Sequence, residues 1–375
     1  MKLHAVILAG GSGTRLWPAS QAATPKYLLV FEPPQTLLQA TVERLTGFVP
    51  PEQIWIVTSR TQSAQIAATL PHFDTRNILS EHVPRNTAAS IGYAAMKLRC
   101  IDPEAVMIVL PADHIIKPAP VFCETLKRAA DIVAQSPNTL VTLGIKPTFP
   151  ATTYGYIQRG TALETAKNAY HVLRFCEKPK QKNAETFFQS GDFYWNAGIF
   201  VWKAETILKL LYHFEPDIGF WLHQIEQSLG TTEETLVTGG AFKSMKSISI
   251  DYAVMERAKE IAVVESAFDW NDVGTWSALD RLYADQKDKH GNLSVASDVL
   301  AIDSSGCTVR CDDPKHIVAL VGMHDVVVIQ TAGATLIARK DQEESVRHIV
   351  EELKKRDEEH ENRKGGRRHR NQHSR

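Results

Sequence analysis

Short apolar runs alternate with helical patterns over the first part of the chain. Runs bounded by polar or turn residues predict strands at residues 4–9, 53–58, 77–81, 106–111 and 139–143. Between them, apolar positions recur at helical spacing, which predicts helices over residues 37–45, 64–70, 86–100 and 121–134. Strands that alternate with helices in this way form parallel crossover units. The pattern therefore predicts an α/β fold, with a Rossmann-like, mixed but mostly parallel sheet covered by helices on both faces.

The pattern changes at Pro150, beyond which the predicted strands are shorter and the connections longer. Strands are predicted at residues 154–157, 169–176, 198–202 and 261–266, and helices at residues 204–213, 252–259 and 275–283. From Val295 to Ala338 the residues Val, Ile and Thr recur with turn residues every few positions, which predicts a small all-β domain.

The C-terminal part of the chain combines an apolar stripe with a basic end. The stripe has helical spacing and consists of Val346, Ile349, Val350 and Leu353. It predicts a helix that packs against the β domain or against a partner subunit. From Arg363 the chain carries basic residues without acids or large apolar residues, which predicts a disordered tail; contact of this tail with nucleic acid or acidic lipid is the less favoured alternative. We expect a large domain over residues 1–285, a β domain over 286–340, a helix over 341–362 and the tail over 363–375.

Composition narrows the class of protein. The chain has 375 residues, of which 43% are hydrophobic and 23% charged, as is usual for a globular enzyme. The formal net charge of -1 argues against a nucleic-acid or membrane surface on the body of the protein. No apolar run approaches the roughly 20 residues of a membrane span, and no signal-peptide pattern opens the chain.

The five cysteines are scattered, which indicates a reducing, cytoplasmic location. Cys307 and Cys311 have the spacing of half a zinc site, but no second pair of ligands follows, so strand residues are the favoured interpretation.

The first strand runs into Gly10, Gly11, Ser12 and Gly13, where a backbone without Cβ atoms can turn sharply. The free N–H groups of such a turn bind anions, and Arg15 adds a planar cation suited to phosphate. A loop that wraps a nucleoside triphosphate is the simplest interpretation; a plain tight turn is the alternative. A P-loop fits this sequence worse because no Lys follows the glycines. A dinucleotide fingerprint also fits worse, because counting from Gly11 its third glycine position is Leu16.

The next candidate group follows the apolar strand at 106–111, which ends in Pro-Ala-Asp113. A carboxylate there is well placed for Mg²⁺, which takes one or two carboxylates together with phosphate oxygens and water. An Asp that caps the following turn is the alternative. We interpret His114 as structural, because a Mg²⁺ site does not need imidazole.

The string from His4 to Pro18, with the later Pro25-Lys26, resembles the signature of the sugar-1-phosphate nucleotidyltransferases. Leu16-Trp17-Pro18 and Arg85-Asn-Thr-Ala88 are most similar to the mannose-1-phosphate guanylyltransferases (GDP-mannose pyrophosphorylases). Similar motifs continue to about Asn292 and include Glu177-Lys-Pro179, Trp195-Asn-Ala-Gly-Ile-Phe200 and Asp272-Val-Gly274. The resemblance implies the nucleotide-diphospho-sugar transferase fold with a short left-handed β-helix, which in this family often mediates dimerisation. A homodimer is therefore expected.

The resemblance also implies a reaction: Mg²⁺-dependent transfer of GMP from GTP to α-D-mannose 1-phosphate, giving GDP-mannose and pyrophosphate. Arg15, Lys26, Asp113 and Lys178 are the implied catalytic residues, and Asp113 and Asp272 the implied metal ligands. The implied nucleotide-binding residues are Leu8, Ala9, Gly10, Gly11, Gly13, Thr14, Arg15, Glu81, Asn86, Thr87 and Asp113. The implied sugar-binding residues are Gly144, Gly155, Glu177, Lys178, Asn196 and Asp272.

Glu81 and Asn86 are the implied base-recognition pair. Related pyrimidine-transferring enzymes use Gln and Gly at the same separation, whereas a carboxylate accepts both N1–H and the 2-amino group of guanine and repels the acceptor N1 of adenine. Asp251 also matches the family pattern; we interpret it mainly as a helix N-cap with a possible site contact.

Three departures and two alternatives accompany the resemblance. Tyr27 stands where Gln is common, the segment before Pro25 lacks a basic residue, and Asn271 replaces a frequent Ser. The isomerase domain of longer bifunctional relatives is not expected here. The alternatives are the same chemistry with another sugar 1-phosphate or nucleoside triphosphate, and a nucleotide-sugar-binding regulatory subunit. A subunit that only senses could lose Arg15, Asp113 or Asp272, and all three are present.

Overall fold

The computed structural model describes residues 2–11, 13–295, 298–313 and 315–356. These form two compact units: one of the described residues up to Gly10 with Leu37–Trp270, the other of the described residues from Gly11 to Thr36 and from Asn271 onward. The expected boundaries at 285, 340 and 362 follow sequence motifs and remain a prediction. The basic tail lies outside the described residues.

The strands and helices of the first unit follow the alternation expected from the sequence. Its strands are β1 Leu3–Ala9, β2 Ile54–Ser59, β3 Ile78–Glu81, β4 Val106–Pro111, β5 Ile115–Lys117, β6 Leu140–Ile145, β7 Tyr156–Ala162, β8 Ala169–Cys176, β9 Phe193–Lys203 and β10 Ile261–Glu265. Its helices are α1 Leu37–Arg44, α2 Ser63–Thr69, α3 Asn86–Ile101, α4 Ala119–Gln135, α5 Gln181–Ser190, α6 Ala204–Phe214, α7 Pro216–Ser228 and α8 Glu234–Ser244.

Within the described residues, nine of these strands form one sheet in the order β3-β2-β1-β4-β9-β6-β10-β8-β7. Strands β1 to β4 pair in parallel, whereas β9 runs antiparallel between β4 and β6. Val6, Ile7, Ile108 and Val109 are wholly buried, which explains why β1 and β4 have continuous apolar sequences. The predicted mixed α/β sheet is confirmed.

The parallel pairing also fixes one edge of the sheet. The carboxyl ends of β1, β3 and β4 lie at the same edge, where ligands of such sheets bind. Gly10 follows β1, Glu81 ends β3, and Asp113 lies two residues beyond Pro111 at the end of β4. Three of the residues singled out in the sequence therefore share one edge of the first unit.

The last part of the chain forms β11 Asp269–Asn271, α9 Leu279–Leu282, β12 Leu293–Val295, β13 Asp298–Ile302, β14 Thr308–Cys311, β15 Ile317–Val321, β16 Val326–Thr331, β17 Ala334–Arg339 and a helix over 346–356, here α10. Strands β12, β14 and β16 stack in parallel, as do β13 and β15. Their side chains enclose a small core of Cys307, Val309, Leu320, Val326 and Val328. Successive parallel strands of this kind are the arrangement of the predicted β-helix. In the predicted C-terminal helix Val346 is buried and Ile349 exposed.

Some local predictions were wrong. The predicted helix at 252–259 is a π-helical turn over Asp251–Met255, whose wide backbone buries Ala253, Val254 and Met255. The predicted helix at 275–283 divides into a 3-10 turn at Trp276–Ala278 and the short α9. The strand expected from residue 154 begins at Tyr156. In the part of the chain that the structure describes, no helix has both the length and the apolar surface needed to span a membrane.

Candidate active site

The glycine-rich loop bends through backbone conformations that favour glycine. Leu8 and the buried Ala9 end β1, and the loop then passes Gly11 with φ +88° and Gly13 with φ +57°. A Cβ on Gly13 would lie 2.7 Å from the Lys26 Cβ and 2.9 Å from the Ser20 Oγ. Gly13 is therefore required both by its left-handed backbone and by the close approach of Lys26.

Beyond Gly13 the chain forms a 3-10 turn over Thr14–Leu16, which carries the predicted phosphate-binding arginine. The Arg15 Nη1 lies 3.3 Å from the Glu344 Oε1, and about one third of the Arg15 side chain is exposed. Arg15 thus already faces an anion of the second unit, the Glu344 carboxylate just before α10.

Lys26 lies at the start of another 3-10 turn, Lys26–Leu28, and is buried. Its Nζ donates a hydrogen bond to the main-chain carbonyl of Asp272. Three predicted residues of the second unit, Gly13, Lys26 and Asp272, are therefore brought together. Tyr27, which replaces the more common Gln, is buried in this unit and so contributes packing.

The turn at Asp272 is held by its own residues. Oδ1 of Asn271 accepts a hydrogen bond from the Val273 N–H at 2.8 Å, and Val273 is buried with φ +46°. The Gly274 N–H donates to Oδ1 of Asp272 at 3.3 Å. A Cβ on Gly274 would lie 2.8 Å from the Asp272 Oδ2, so this carboxylate folds back over a glycine. Asn271 supplies an acceptor, which explains why it can replace Ser.

Asp113 lies beside His114 at the edge of the first unit's sheet. Oδ1 of Asp113 is 3.9 Å from the His114 Nε2, and the His114 Nδ1 accepts a hydrogen bond from the Trp270 Nε1 at 3.2 Å. A neutral His114 therefore carries its proton on Nε2, which faces the carboxylate. This arrangement agrees with a structural role for His114 and leaves Asp113 as the candidate ligand.

Glu81 is 7% exposed at the end of β3. Its Oε1 accepts a hydrogen bond from the Ser90 hydroxyl. Burial raises the pKa of the Glu81 carboxyl to about 7, although the Ser90 hydrogen bond acts in the opposite direction. A carboxylate in such surroundings needs further donors.

Asn86 and Thr87 begin α3, and Arg85 rather than either of them occupies the N-cap position. Asn86 has φ 65°, and its Oδ1 accepts a hydrogen bond from the Thr87 N–H at 2.8 Å. The Thr87 Oγ1 accepts from the Ile250 N–H at 2.8 Å. Both residues therefore organise the start of the helix through a local turn and a tertiary contact.

The predicted sugar residues Gly155, Glu177 and Asn196 come together in the first unit. A Cβ on Gly155 would overlap the Glu177 Oε2 and lie 3.2 Å from the Asn196 Cβ, so a side chain there would displace the Glu177 carboxylate. The Asn196 N–H donates to the Gly155 carbonyl at 2.8 Å. Gly144 pairs with Asn196 across β6 and β9, and a Cβ on it would lie 2.7 Å from Val263.

The side-chain amide of Asn196 is fixed at both ends. Its Oδ1 accepts hydrogen bonds from the Thr142 hydroxyl and the Gly198 N–H, each at 3.1 Å. Its Nδ2 donates to Oδ1 of Asp251 at 3.0 Å. Burial, and next the charge of Glu177, raises the pKa of Asp251 above its ordinary value. The interpretation of Asp251 mainly as an N-cap was wrong: it begins the π-helical turn, and its side chain orients Asn196.

Lys178 adds a cation to this cluster. Its Nζ lies 2.9 Å from the Glu177 Oε1, and its backbone has φ 46°. Burial lowers the pKa of Lys178, but the hydrogen bond and charge of Glu177 outweigh burial and raise it above its ordinary value. The Glu177 main-chain N–H donates to Oε1 of Glu256 at 2.9 Å, which fixes the start of this turn.

Sequence reasoning missed Ser90, Thr142 and Glu256. Ser90 stands four residues after Asn86 on the same face of α3, which is a signal that the sequence contained. Thr142 lies in a run of apolar strand residues and is fully buried; a polar residue at such a position needs a partner.

Residues 4–289 match the family model described as nucleotidyl transferase, and residues 297–353 match the mannoseP isomerase/GMP-like beta-helix domain. The mannose-1-phosphate guanylyltransferase of Salmonella montevideo is 36% identical over 356 residues, which cover 93% of this chain and 73% of the relative. The mannose-1-phosphate guanylyltransferase of Escherichia coli (strain K12) is 36% identical over 363 residues, covering 94% of this chain and 74% of the relative.

A crystal structure from Thermus thermophilus, described as a mannose-1-phosphate geranyltransferase, has a TM-score of 0.83 and 33% identity, and the match covers 94% of this chain and 100% of that one. Two domain models and several relatives thus agree with the motifs found in the sequence. The chain therefore belongs to the nucleotidyl transferase family, among the mannose-1-phosphate guanylyltransferases.

Proposed function

We propose that the protein transfers GMP from GTP to α-D-mannose 1-phosphate and forms GDP-mannose and pyrophosphate. Relatives that are 36% identical carry the name of this activity. Within the structure, the observation that carries the proposal is the fixed amide of Asn196 beside the Glu177 carboxylate and Gly155. A rigid cluster of polar groups around a glycine suits a ligand covered with hydroxyl groups.

In this proposal Glu177 and Asn196 bind hydroxyl groups of the sugar. Glu177 supplies acceptors, and the remaining Nδ2 hydrogen of Asn196 is a donor of fixed direction. The absence of a side chain at Gly155 leaves the Glu177 carboxylate in its place beside Asn196, and Gly144 lets Val263 and Tyr194 pack beneath β6. Lys178 supplies a positive charge for the phosphate of the incoming sugar.

Guanine is assigned to Glu81 and Asn86. Guanine presents two adjacent donors, N1–H and the 2-amino group, and a buried carboxylate accepts both. Adenine would place an acceptor against that carboxylate. Glu81 is buried and has one hydrogen-bond donor in Ser90, which leaves acceptor capacity for the base.

The reaction is an in-line displacement at the α-phosphorus of GTP. A phosphate oxygen of mannose 1-phosphate forms the new P–O bond, and the bond to pyrophosphate breaks on the opposite side. The nucleophile is already an anion, so no general base is needed, and positioning and charge neutralisation supply the catalysis. Arg15 and the amides of Gly10, Gly11 and Gly13 stabilise the departing pyrophosphate, while Lys26 offsets repulsion between the phosphates.

Mg²⁺ is the proposed cofactor, and its candidate ligands are Asp113 and Asp272. Both offer carboxylate oxygens, which Mg²⁺ prefers, and it completes its shell with phosphate oxygens and water. No group of three or more His, Cys, Asp or Glu side chains that would enclose a metal occurs among the described residues. When bound, Mg²⁺ would neutralise charge on the triphosphate.

A homodimer in the cytoplasm completes the proposal. In the described residues the outer face of β13 and β15 exposes four large aliphatic side chains, each more than half accessible: Leu300, Ile302, Ile317 and Val321. The strand register pairs Ile302 with Val321 and Leu300 with Ala319, so these side chains share one face. A continuous apolar face suits a second copy of the chain. The described cysteines are free thiols, as a reducing compartment allows.

The test is pyrophosphate release from purified protein with Mg²⁺, mannose 1-phosphate and each nucleoside triphosphate separately. We expect release with GTP alone, and its loss by a factor of about a thousand in Asp113→Asn. Asp269→Asn, at an exposed Asp on β11, is the matched control and should retain activity. Release with another triphosphate would refute the assignment of guanine. No release with any of them, together with binding of GDP-mannose, would support the regulatory alternative.

A further inference from the structure

The two oxygens of the Glu81 carboxylate differ in their surroundings. Oε1 accepts a hydrogen bond from the Ser90 hydroxyl, whereas Oε2 accepts none from any residue in the described ranges. Ser90 is itself buried in the first turns of α3. A buried carboxylate with an incomplete set of donors is costly unless a ligand supplies the remainder.

Ser90 connects the two residues that we assign to the base. Its Oγ donates to Oε1 of Glu81 and also lies 3.1 Å from the main-chain carbonyl of Asn86. Helix α3 anchors Ser90, since Ala88, Ala89 and Ile91 around it are wholly buried. The hydroxyl therefore joins the end of β3 to the start of α3 at a rigid point.

We propose that Ser90 is a positioning residue that fixes the Glu81 carboxylate for guanine and thereby sets the preference for GTP over ITP. This inference rests on the proposed role of Glu81 as the group that binds the base.

The physical reason lies in the last torsion of glutamate. Rotation of a carboxylate about χ3 has a broad, shallow profile, whereas N1–H and the 2-amino group of guanine need both oxygens in the plane of the base. The Ser90 hydroxyl holds one oxygen and so fixes this plane. Hypoxanthine, the base of ITP, keeps N1–H but lacks the 2-amino group, so it gains less from the fixed plane.

The same hydrogen bond affects protonation. Donation from Ser90 favours the ionised carboxylate, and burial opposes it. Burial and the cations Arg60 and Lys243 lower the pKa of the neighbouring His82, but neither cation contributes to the pKa shift of Glu81. Ser90 is therefore the group that opposes the effect of burial on the pKa of Glu81. Removal of the hydroxyl should raise the pKa of Glu81 further and leave less carboxylate at neutral pH.

The experiment compares the wild type, Ser90→Ala and Ser90→Thr with GTP and with ITP across neutral pH. In Ser90→Ala we expect kcat/KM for GTP to fall about five- to tenfold at pH 7, mainly through KM. The fall for ITP should be smaller, so the GTP/ITP ratio declines. The acid limb of the plot of kcat/KM for GTP against pH should move to higher pH. Ser90→Thr keeps the hydroxyl, so its kcat/KM for GTP, its GTP/ITP ratio and its acid limb should match those of the wild type.

Two controls separate this effect from general damage. Protonation of the free triphosphate is the same whichever protein is present. A difference between the pH profiles of wild type and Ser90→Ala with the same substrate therefore comes from the protein. Ser63→Ala removes a serine hydroxyl that bonds to the Arg60 carbonyl at 3.0 Å on the exposed side of α2 and should change none of these quantities.

Unchanged KM for GTP and an unmoved acid limb in Ser90→Ala would overturn the inference. Equal losses for GTP and ITP without movement of the limb would also overturn it, because they indicate a structural role only. A wild type that shows no preference for GTP over ATP would instead refute the assignment of guanine to Glu81, and with it the role given to Ser90.

Discussion

Nδ2 of Asn196 donates a hydrogen bond to Oδ1 of Asp251 over 3.0 Å. The other end of the same amide accepts from Thr142 and from the Gly198 N–H. If the amide turned over, its oxygen would face the Asp251 carboxyl and its NH₂ group would face the Gly198 N–H, which can only donate. The network therefore favours one orientation of the Asn196 amide, which is fixed before any ligand binds.

Removal of this partner should loosen sugar binding selectively. We expect Asp251→Ala to raise KM for mannose 1-phosphate about tenfold and to leave KM for GTP within about twofold, because one hydrogen bond to a partly buried amide is lost. Steady-state kinetics with each substrate varied in turn measure both constants. Asp251→Asn retains an acceptor oxygen and should show a smaller effect; equal changes in both KM values would contradict the assignment.

Glu81 should make stability depend on pH. Burial raises its pKa in the folded protein from 4.5 to about 7, so between these values the folded state binds a proton more tightly than the unfolded chain. Stability is therefore lost as the pH rises through this window. Relative to Glu81→Gln, the wild type should lose up to about 3 kcal/mol of unfolding free energy across it. Urea denaturation of both proteins at the two ends of the window measures the difference, and parallel pH dependences would contradict the prediction.

Gly13 should tolerate no side chain. Gly13→Ala places a Cβ within 2.7 Å of Lys26 on a left-handed backbone, which should destabilise the protein by about 2 kcal/mol and raise KM for GTP. Thermal unfolding and GTP kinetics test both. Gly240→Ala is the matched control, because no atom lies within 4 Å of the added Cβ. A stable Gly13→Ala with normal kinetics would show that Lys26 can move away.

Glu344 should compete weakly with the triphosphate for Arg15. The pair is 3.3 Å apart and half of the Glu344 side chain is exposed, so its contribution is small and screened by salt. We expect Glu344→Gln to lower KM for GTP about twofold at low ionic strength. The difference should disappear as salt is raised. Glu351→Gln, at an exposed Glu of α10, controls for the loss of one negative charge; an equal effect there would point to overall charge.

Charges on the apolar face of β13 and β15 should prevent dimer formation. Leu300→Lys combined with Val321→Lys places two cations among the exposed aliphatic side chains and should convert a dimer to a monomer in light-scattering measurements. Leu236→Lys is the control, at a side chain that is 79% exposed on α8. A double variant that remains dimeric would show that another surface forms the interface.

The sheet could be predicted because its strands are buried on both faces. Continuous apolar runs such as Val106–Pro111 have few alternative structures, and their carboxyl ends indicate where chemistry-bearing residues gather. Helices α5, α7 and α8 were not predicted. Helix α8 has Gly239 and Gly240 in its interior, which lowers its helix propensity, and α7 begins at Pro216, a start signal that was present but unused.

The site could be predicted only where a residue belongs to a recognisable motif. Ser90 and Thr142 carry single hydroxyl groups whose roles depend on partners 9 and 54 positions away. Asp251 likewise acts through a tertiary hydrogen bond to Asn196. The spacing of Ser90 from Asn86 was visible in the sequence, but local patterns do not show that Ser90 bonds to Glu81, Thr142 to Asn196 or Asn196 to Asp251.

The hydrogen bond from Lys26 to the Asp272 carbonyl joins residues 246 positions apart. During synthesis the segment Gly11–Thr36 leaves the ribosome early, whereas the rest of its compact unit begins at Asn271. Lys26 therefore waits for most of translation before its hydrogen-bond partner at Asp272 exists. A nascent chain that ends before Asn271 would carry the whole glycine-rich loop and Lys26, but not the Asp272 carbonyl that accepts the Lys26 hydrogen bond.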